Sequence, residues 1–333
     1  IKKNILENFF EKITKTLKLK YQDRKFLSKS LIGASLRGVD SHGIRLLPSY
    51  VQLIEEGSIK RRPNMVFKLK MPSVGILDAD NGLGHSAAYL ASSKAIKLAK
   101  KNGVGIVGVI NSSHYGAAGA YSLEIAEKKF IGFSFTHSDA IAIPYNGYKK
   151  FHGTNPYSFS APLLNKKPLL VDFSTTSIPW NKVLRARNNN NKIFDDVALD
   201  KYGNVTNDAN LADTLIPLGG EVFGHKGFGL SSSIEVMCGP LLGMVNGLRL
   251  LPMMGPDFSY RKLGHFIMAI NISSMITKKQ YYNNMKNYID DLHNQKTKNK
   301  KLFYPGEIEW KEEEKRLAKG IPFDLELRNS FLE

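Results

Sequence analysis

Residues 39–45 of this 333-residue chain read VDSHGIR: two glycines, Gly38 and Gly43, bracket an acid, a hydroxyl and an imidazole, and the guanidinium of Arg45 follows. His42 has the side chain whose ordinary pKa lies nearest working pH, which suits it to general acid–base work. Arg45 can hold a carboxylate through two parallel hydrogen bonds, with Ser41 assisting. Asp40 can orient an imidazole. The same residues also make an ordinary capped turn, with Ser41 or His42 capping the next helix and Arg45 in solvent. The stretch by itself leaves both readings open.

Five further stretches carry comparable chemistry. NSSHYGAAGA at 111–120 follows an apolar run and opens a small-residue helix, bringing His114 to a strand end; free N–H groups at a helix start attract anions. A histidine packed in a strand-to-helix turn is the alternative. FTHSDA at 135–140 (His137, Ser138, Asp139), HGTNPYSF at 152–159 and VDFSTTS at 171–177 are polar and hydroxyl-rich, the first and last at strand ends. GHKGFG at 224–229 reads as a glycine-rich turn carrying Lys226 before a helix, suited to a phosphate or ribose. In open α/β sheets ligands collect beyond the carboxyl ends of strands, so the recurrence of such loops carries more weight than any one of them.

The elements that must hold these loops follow from periodicity. Apolar residues at Ile5, Phe9, Ile13 and Leu17 mark an amphipathic first helix. Asp23 is placed to cap a second, running to Gly38, and a third starts just after His42, with Arg45 in its first turn and Gly57 at its end. From residue 73 the pattern alternates: strands at VGILDAD, VGIVGVI, IGFSFTH, LLVDFS and FIMAINIS, helices at 85–103 and 117–129, and an apolar helix at FGLSSSIEVMCGPLLG. Polar helices at 276–295 and 307–319 close the chain. The expected layout is a helical part over 1–70 joined by C-terminal helices in 305–333, and an α/β part over 71–304 with a helical insertion near 115–130.

Composition narrows the partners. A net charge of +17 favours anions. Lysine is spread through the chain, often beside asparagine, and no nucleic-acid motif is present, so a small anionic substrate and a phosphate-bearing cofactor are expected rather than nucleic acid. No apolar run reaches the length of a membrane span. A single cysteine, Cys238, excludes an internal disulfide and fits a reducing cytoplasm. His85 and His114 lack partners at metal-ligand spacing, so no metal is expected. G-x-G-x-x-G after a strand, G-x-x-x-x-G-K-[ST] and G-x-S-x-G are all missing.

RGVDSHGIRLLPSYVQLIEEG, NSSHYGAAG, GTNPYSFSAP, VDFSTTSIPWNKV, LGGEVFGHKGFGL, LGHFIMAINIS and YPGEIE stand in the order seen in the malate/L-lactate dehydrogenase type 2 family, which the chain resembles from about residue 5 to its end. That family also holds ureidoglycolate and sulfolactate dehydrogenases, 2,3-diketo-L-gulonate reductase and cyclic-imine reductases. The resemblance implies an α/β fold with a non-Rossmann, mixed-sheet nicotinamide-binding core and helical N- and C-terminal segments, which accounts for the missing glycine fingerprint. It implies an NAD-dependent oxidoreductase, with NADP as the alternative nucleotide, acting on a small 2-hydroxy or 2-oxo acid as a homodimer or higher oligomer.

By the same resemblance, Ser41, His42, Arg45 and His114 form the catalytic side. Ser138, Asp172, Phe173, Ser174, Thr175, Thr176, Ser177, His225, Lys226, Pro305, Gly306 and Glu307 form the cofactor side. His225 stands where some relatives have tyrosine or proline. His42 and His114 compete for the proton, His42 being favoured because Arg45 is one turn away. Reduction of a cyclic imino acid is the alternative reaction; a non-catalytic polyanion-binding protein is the alternative of another class.

Overall fold

The computed structural model describes residues 1–253, 260–298, 300–323, 327–328 and 331. Helices α1 (Lys3–Thr16), α2 (Tyr21–Leu36) and α3 (Leu47–Glu55) come first. Strands β1 (Val66–Met71) and β2 (Val74–Asp78), helix α4 (Gly84–Asn102), β3 (Val104–Ser112), α5 (Gly119–Glu127), β4 (Ile131–Thr136), β5 (Tyr157–Leu163) and β6 (Lys166–Phe173) follow. Then come α6 (Trp180–Asn188), the short strands β7 (Ala198–Leu199) and β8 (Thr214–Leu215), α7 (Gly220–Cys238), β9 (Leu263–Ile270), α8 (Lys278–His293) and α9 (Glu307–Lys319).

Seven strands form one mixed sheet in the order β1-β2-β3-β9-β4-β5-β6. β2 and β3 are parallel; β9 enters between β3 and β4 antiparallel to both. The register pairs Ser112 with Leu263, Thr136 with His265, Phe135 with Tyr157, and Tyr157 with Phe173. One edge of the sheet therefore collects the loops after β3, β4 and β6 and those before β5 and β9. Every polar loop singled out between residues 111 and 177 opens on that edge.

Three buried clusters support it. Leu6, Phe10, Leu27, Leu31, Tyr50 and Ile54 pack the helical part and take in Ile321 and Leu327 from the C-terminal segment. Ala87, Ala91, Ala95 and Ala99 of α4 lie against Leu77, Val107, Val109 and Ile267 of the sheet. A Cβ on Gly105 would stand 2.0 Å from the Ala95 carbonyl oxygen, so this close seating of α4 on β3 needs glycine there. The third cluster joins β5, β6, α8 and α9 through Ala161, Leu169, Ile289 and Trp310.

Several local expectations are corrected. Arg45 is not in the first turn of an α-helix: Asp40–His42 and Ile44–Leu46 are 3-10 turns, and α3 starts only at Leu47, with Pro48 in its first turn, where a missing N–H is harmless. Asp23 does not cap α2; Lys20 is the flanking residue, and Asp23 is buried inside the first turn. GHKGFG is not a turn but lies within α7, which begins at Gly220. One of its glycines serves packing: a Cβ on Gly227 would meet the Leu218 carbonyl oxygen at 2.4 Å, whereas one on Gly229 would meet nothing within 4 Å. β1 and β5 carried no clear signal. β1 is a mostly exposed edge strand, and β5 contains Pro162, tolerated where the pairing with β6 shifts register.

Candidate active site

The turn that carries His42 is fixed from outside. Gly43 is obligatory, because a Cβ there would lie 2.0 Å from Ser35 Oγ, which accepts the Ile44 N–H at 3.0 Å. Asp40 does not face an imidazole. Both its oxygens accept from Arg316 of α9, at 2.6 and 3.0 Å, and Arg316 also donates to the Ser35 carbonyl. Asn181 of α6 donates to the Ser41 carbonyl at 2.7 Å. Ser41 Oγ stands 2.9 Å from His42 Nδ1.

His114, just past β3, meets that turn. The two imidazoles stack, with centroids 5.9 Å apart and planes 26° apart. Tyr50, on α3, places its hydroxyl 2.5 Å from His114 Nδ1. Burial holds both histidines neutral: His42 is lowered to about 4, and His114 well below 6.5, by burial first and then by His42, Arg261 and other neighbours. Burial also pushes the Tyr50 hydroxyl far up, so it keeps its proton. Among the described residues that proton has one partner, His114 Nδ1, which leaves the His114 proton on Nε2.

The buried guanidinium that acts electrostatically on His114 is that of Arg261. Arg45 lines a separate cleft of about 250 Å³ with Asp40, Arg185, Arg316 and Leu327. Arg261, directly before β9, is buried and acts electrostatically on both Tyr50 and His114. It pairs with Asp139 through Nη2 and donates from Nε to the Leu251 carbonyl at 3.0 Å. Its Nη1 is buried without a hydrogen-bond partner among the described residues. Reading along the sequence misses both Arg261 and Tyr50. Tyr50 follows His42 by eight residues, inside a helix whose pattern gives it no separate signal. Arg261 reaches the site because β9 inserts between β3 and β4.

The cofactor-side expectations separate into four places. Ser138 and Thr175 adjoin: Ser138 Oγ accepts the Thr154 N–H at 3.1 Å, and the Thr154 carbonyl accepts from Thr175 N and Oγ1 at 2.9 and 3.0 Å. Ser174, Thr176 and Ser177 shape the same loop through bonds to Thr176, Ile178 and Pro217 carbonyls, and Phe173 is exposed at its start. Asp172 turns the other way and accepts the Gly119 N–H at 2.9 Å; burial raises its carboxyl to about 6. His225 and Lys226 are exposed on α7, Lys226 over the Phe223 ring and His225 edge-on to Tyr145. Pro305, Gly306 and Glu307 dock along the outer edge of β6, where the Leu170 N–H bonds to the Pro305 carbonyl and Glu307 bonds to His293.

Comparison with known proteins agrees with this architecture. The malate/L-lactate dehydrogenase family model matches residues 1–331. The chain is 34% identical over 330 residues to a malate dehydrogenase of Pyrococcus abyssi, covering 97% of this chain and 90% of that protein. It is 32% identical over 311 residues to the NAD(+) ureidoglycolate dehydrogenase of Escherichia coli K12, covering 91% and 86%. The crystal structure of malate dehydrogenase from Entamoeba histolytica superposes with a TM-score of 0.94 at 26% identity, covering 100% of this chain and 96% of that one. With a mixed sheet in place of a Rossmann core, two stacked neutral histidines at its edge, and this match along its length, the chain belongs to the malate/L-lactate dehydrogenase family.

Proposed function

We propose that this chain is a nicotinamide-dependent dehydrogenase that interconverts a small 2-hydroxy acid and its 2-oxo acid, using NAD or NADP, as a homodimer or higher oligomer in the cytoplasm. The observation that carries the reading is the group of His42, His114 and Arg261, two neutral imidazoles beside a buried guanidinium whose Nη1 has no hydrogen-bond partner among the described residues. An anionic substrate is what satisfies that nitrogen.

The rim also fits a nicotinamide nucleotide chemically. Ser138 accepts a backbone N–H through its Oγ, so its own proton remains for a ligand, and Thr175 lies one hydrogen-bonded step away. Lys226 supplies an exposed ammonium on α7, and the segment leading into α7 is tied to that loop by the Leu218 N–H, which donates to the Thr175 carbonyl at 2.9 Å. A nicotinamide held there would supply the hydride chemistry at C2 of the substrate; orientation and proton handling fall to the protein.

Arg261 takes the substrate carboxylate in the part that sequence reading gave to Arg45. Its anchorage to Asp139 and the Leu251 carbonyl fixes the direction of the guanidinium. His114, its Nδ1 occupied by the Tyr50 hydroxyl, donates from Nε2 to the substrate oxygen at C2. His42 accepts the hydroxyl proton in oxidation and returns it to the oxygen in reduction, with Ser41 holding Nδ1. A positioned acid–base group of this kind is worth about 10²–10⁴ in rate.

The test begins with a thermal-shift screen against NAD, NADP and a panel holding malate, lactate, ureidoglycolate, sulfolactate and a cyclic imino acid. A native-state ligand raises stability by mass action. The expected result is a shift with one nucleotide and turnover of one hydroxy/oxo pair, lost in His42→Ala and His114→Ala. Near wild-type turnover in both variants would sink the mechanism.

A further inference from the structure

Beneath the Ser138–Thr154–Thr175 loop lies a buried polar group that the mechanism above does not use. Glu235 of α7 is 6% exposed. Its Oε2 accepts from Asn155 Nδ2 at 2.6 Å and its Oε1 from the Gly247 N–H at 2.7 Å. His137 Nδ1 stands 3.7 Å from Oε1. The His137 ring proton must be on that nitrogen, because Nε2 accepts the Gly264 N–H at 2.8 Å. Among the described residues, both hydrogen-bond partners of Glu235 are donors, and the nearby His137 turns an N–H toward it as well. Only a group that accepts on both oxygens satisfies them, which an ionised carboxylate does and an amide does not. Burial alone would push the Glu235 carboxyl up, but the His137 imidazole facing it and the bonds from Gly247 and Asn155 outweigh it and hold it low.

The carboxylate also decides which way the neighbouring amide points. With Nδ2 committed to Glu235 and to the Ser231 carbonyl at 3.3 Å, Asn155 turns Oδ1 toward the Ser138 N–H, 3.1 Å away. Asn155 itself is fully buried with a φ of 28°, a backbone conformation that asparagine and glycine tolerate better than most residues. Ser138 then accepts from Thr154, whose carbonyl takes both Thr175 donors, and the Thr175 carbonyl accepts the Leu218 N–H at 2.9 Å. One continuous hydrogen-bond chain of fixed polarity thus runs from α7 to the loops after β4 and β6. We propose that Glu235 is a positioning residue for nucleotide binding: it fixes the Asn155 amide and through it the Ser138–Thr154–Thr175 loop. The inference rests on that loop being the nucleotide rim.

The polarity supplies a specific test. Glu235→Gln puts an amide N–H₂ among donors, and either Asn155 or Gly247 loses its acceptor. Asn155→Asp sets two carboxylates face to face. Combining the two substitutions reverses the bond: the amide introduced at position 235 donates to the new carboxylate, which still accepts the Ser138 N–H, while the amide oxygen keeps Gly247. Reduced NAD and NADP are titrated against wild type, both single variants and the double variant by nucleotide fluorescence, alongside steady-state kinetics and Tm.

Each single variant is expected to bind the nucleotide about tenfold more weakly or worse. Its KM for nucleotide should rise more than kcat falls, and the double variant should recover most of the affinity. A merely structural role would lower Tm and the folded fraction and leave nucleotide KM in place. If Glu235→Gln does not fold, Asn155→Gly suits the positive φ, removes the acceptor for Ser138, and should show the same weakening. Wild-type affinity in the folded single variants, or a double variant no better than either single, overturns the inference alone. A wild-type protein that binds neither nucleotide overturns the nucleotide reading and this inference with it.

Discussion

The Tyr50 hydroxyl lies 2.5 Å from Nδ1 of His114, and it joins the helical part of the chain to the loop after β3. Because burial keeps Tyr50 protonated, this bond sets the tautomer of His114 and leaves Nε2 as a donor. Tyr50→Phe removes the bond and little of the packing. Steady-state assays should show kcat/KM down by about 10–100-fold, the range expected when a general-acid–base site loses the orientation of its imidazole. Unchanged kcat/KM would show that His114 keeps its tautomer without the tyrosine.

Arg261 and Arg45 make a paired prediction. Arg261→Ala takes away the guanidinium next to His114 and should raise the substrate KM by about 100-fold, since a charged hydrogen-bond pair is worth about 2–3 kcal/mol. Arg45→Ala alters a different cleft and should change substrate KM by a few-fold at most. The opposite ranking in a kinetic comparison would return the carboxylate to Arg45.

The pH dependence of oxidation follows from the depressed histidines. His42 is protonated only near and below pH 4, burial being the cause. On the proposed mechanism the free protein therefore holds His42 ready to accept a proton through the neutral range. A profile of kcat/KM for hydroxy acid oxidation should be level from about pH 6 to 8 and carry no break at an ordinary histidine value near 6.5. A break there would assign the proton to a group with an unshifted pKa.

Stability should follow the buried histidines in acid. His85 has no exposure, and neither ring nitrogen has a hydrogen-bond partner among the described residues; burial lowers its pKa from 6.5 to about 3. A lowered folded-state pKa means that the unfolded chain binds the proton more tightly. The contribution is fully present above pH 6.5 and is lost as pH falls toward 3. His85→Leu should flatten the fall in Tm between pH 7 and 5, by about 1–2 kcal/mol on the scale of about 1.36 kcal/mol per pH unit. An unaltered slope would place the acid lability elsewhere.

Asp172 has the reverse sign. Its carboxyl is raised to about 6 by burial, so its folded-state advantage is complete below 3.8 and lost as pH rises through 6. Asp172→Asn can still accept the Gly119 N–H through its amide oxygen and carries no charge to bury. Thermal melts should show the variant gaining up to about 3 kcal/mol over wild type at pH 8 and less at pH 5.

Much of the architecture was legible along the chain. Continuous apolar runs marked β2, β3, β4 and β9, because a strand covered on both faces leaves no polar alternation to confuse it with a loop. The E/K pattern placed α9 at its observed bounds. His42 and His114 stood out as imidazoles in polar loops at element ends, although their local pattern also fits a capped turn and a packed histidine. Local spacing could not give the partners of these residues. Asp40, beside His42 in sequence, is claimed by Arg316, 276 residues away, while Arg45 looks into another cleft. The glycines of GHKGFG signalled a turn but lie inside α7, and Gly227 alone is held there by close packing, since the sequence records a missing Cβ and not the surface that needs it missing. Only the tertiary structure, by inserting β9 between β3 and β4, could set Arg261 beside His114 and make one site of loops that are far apart in the chain.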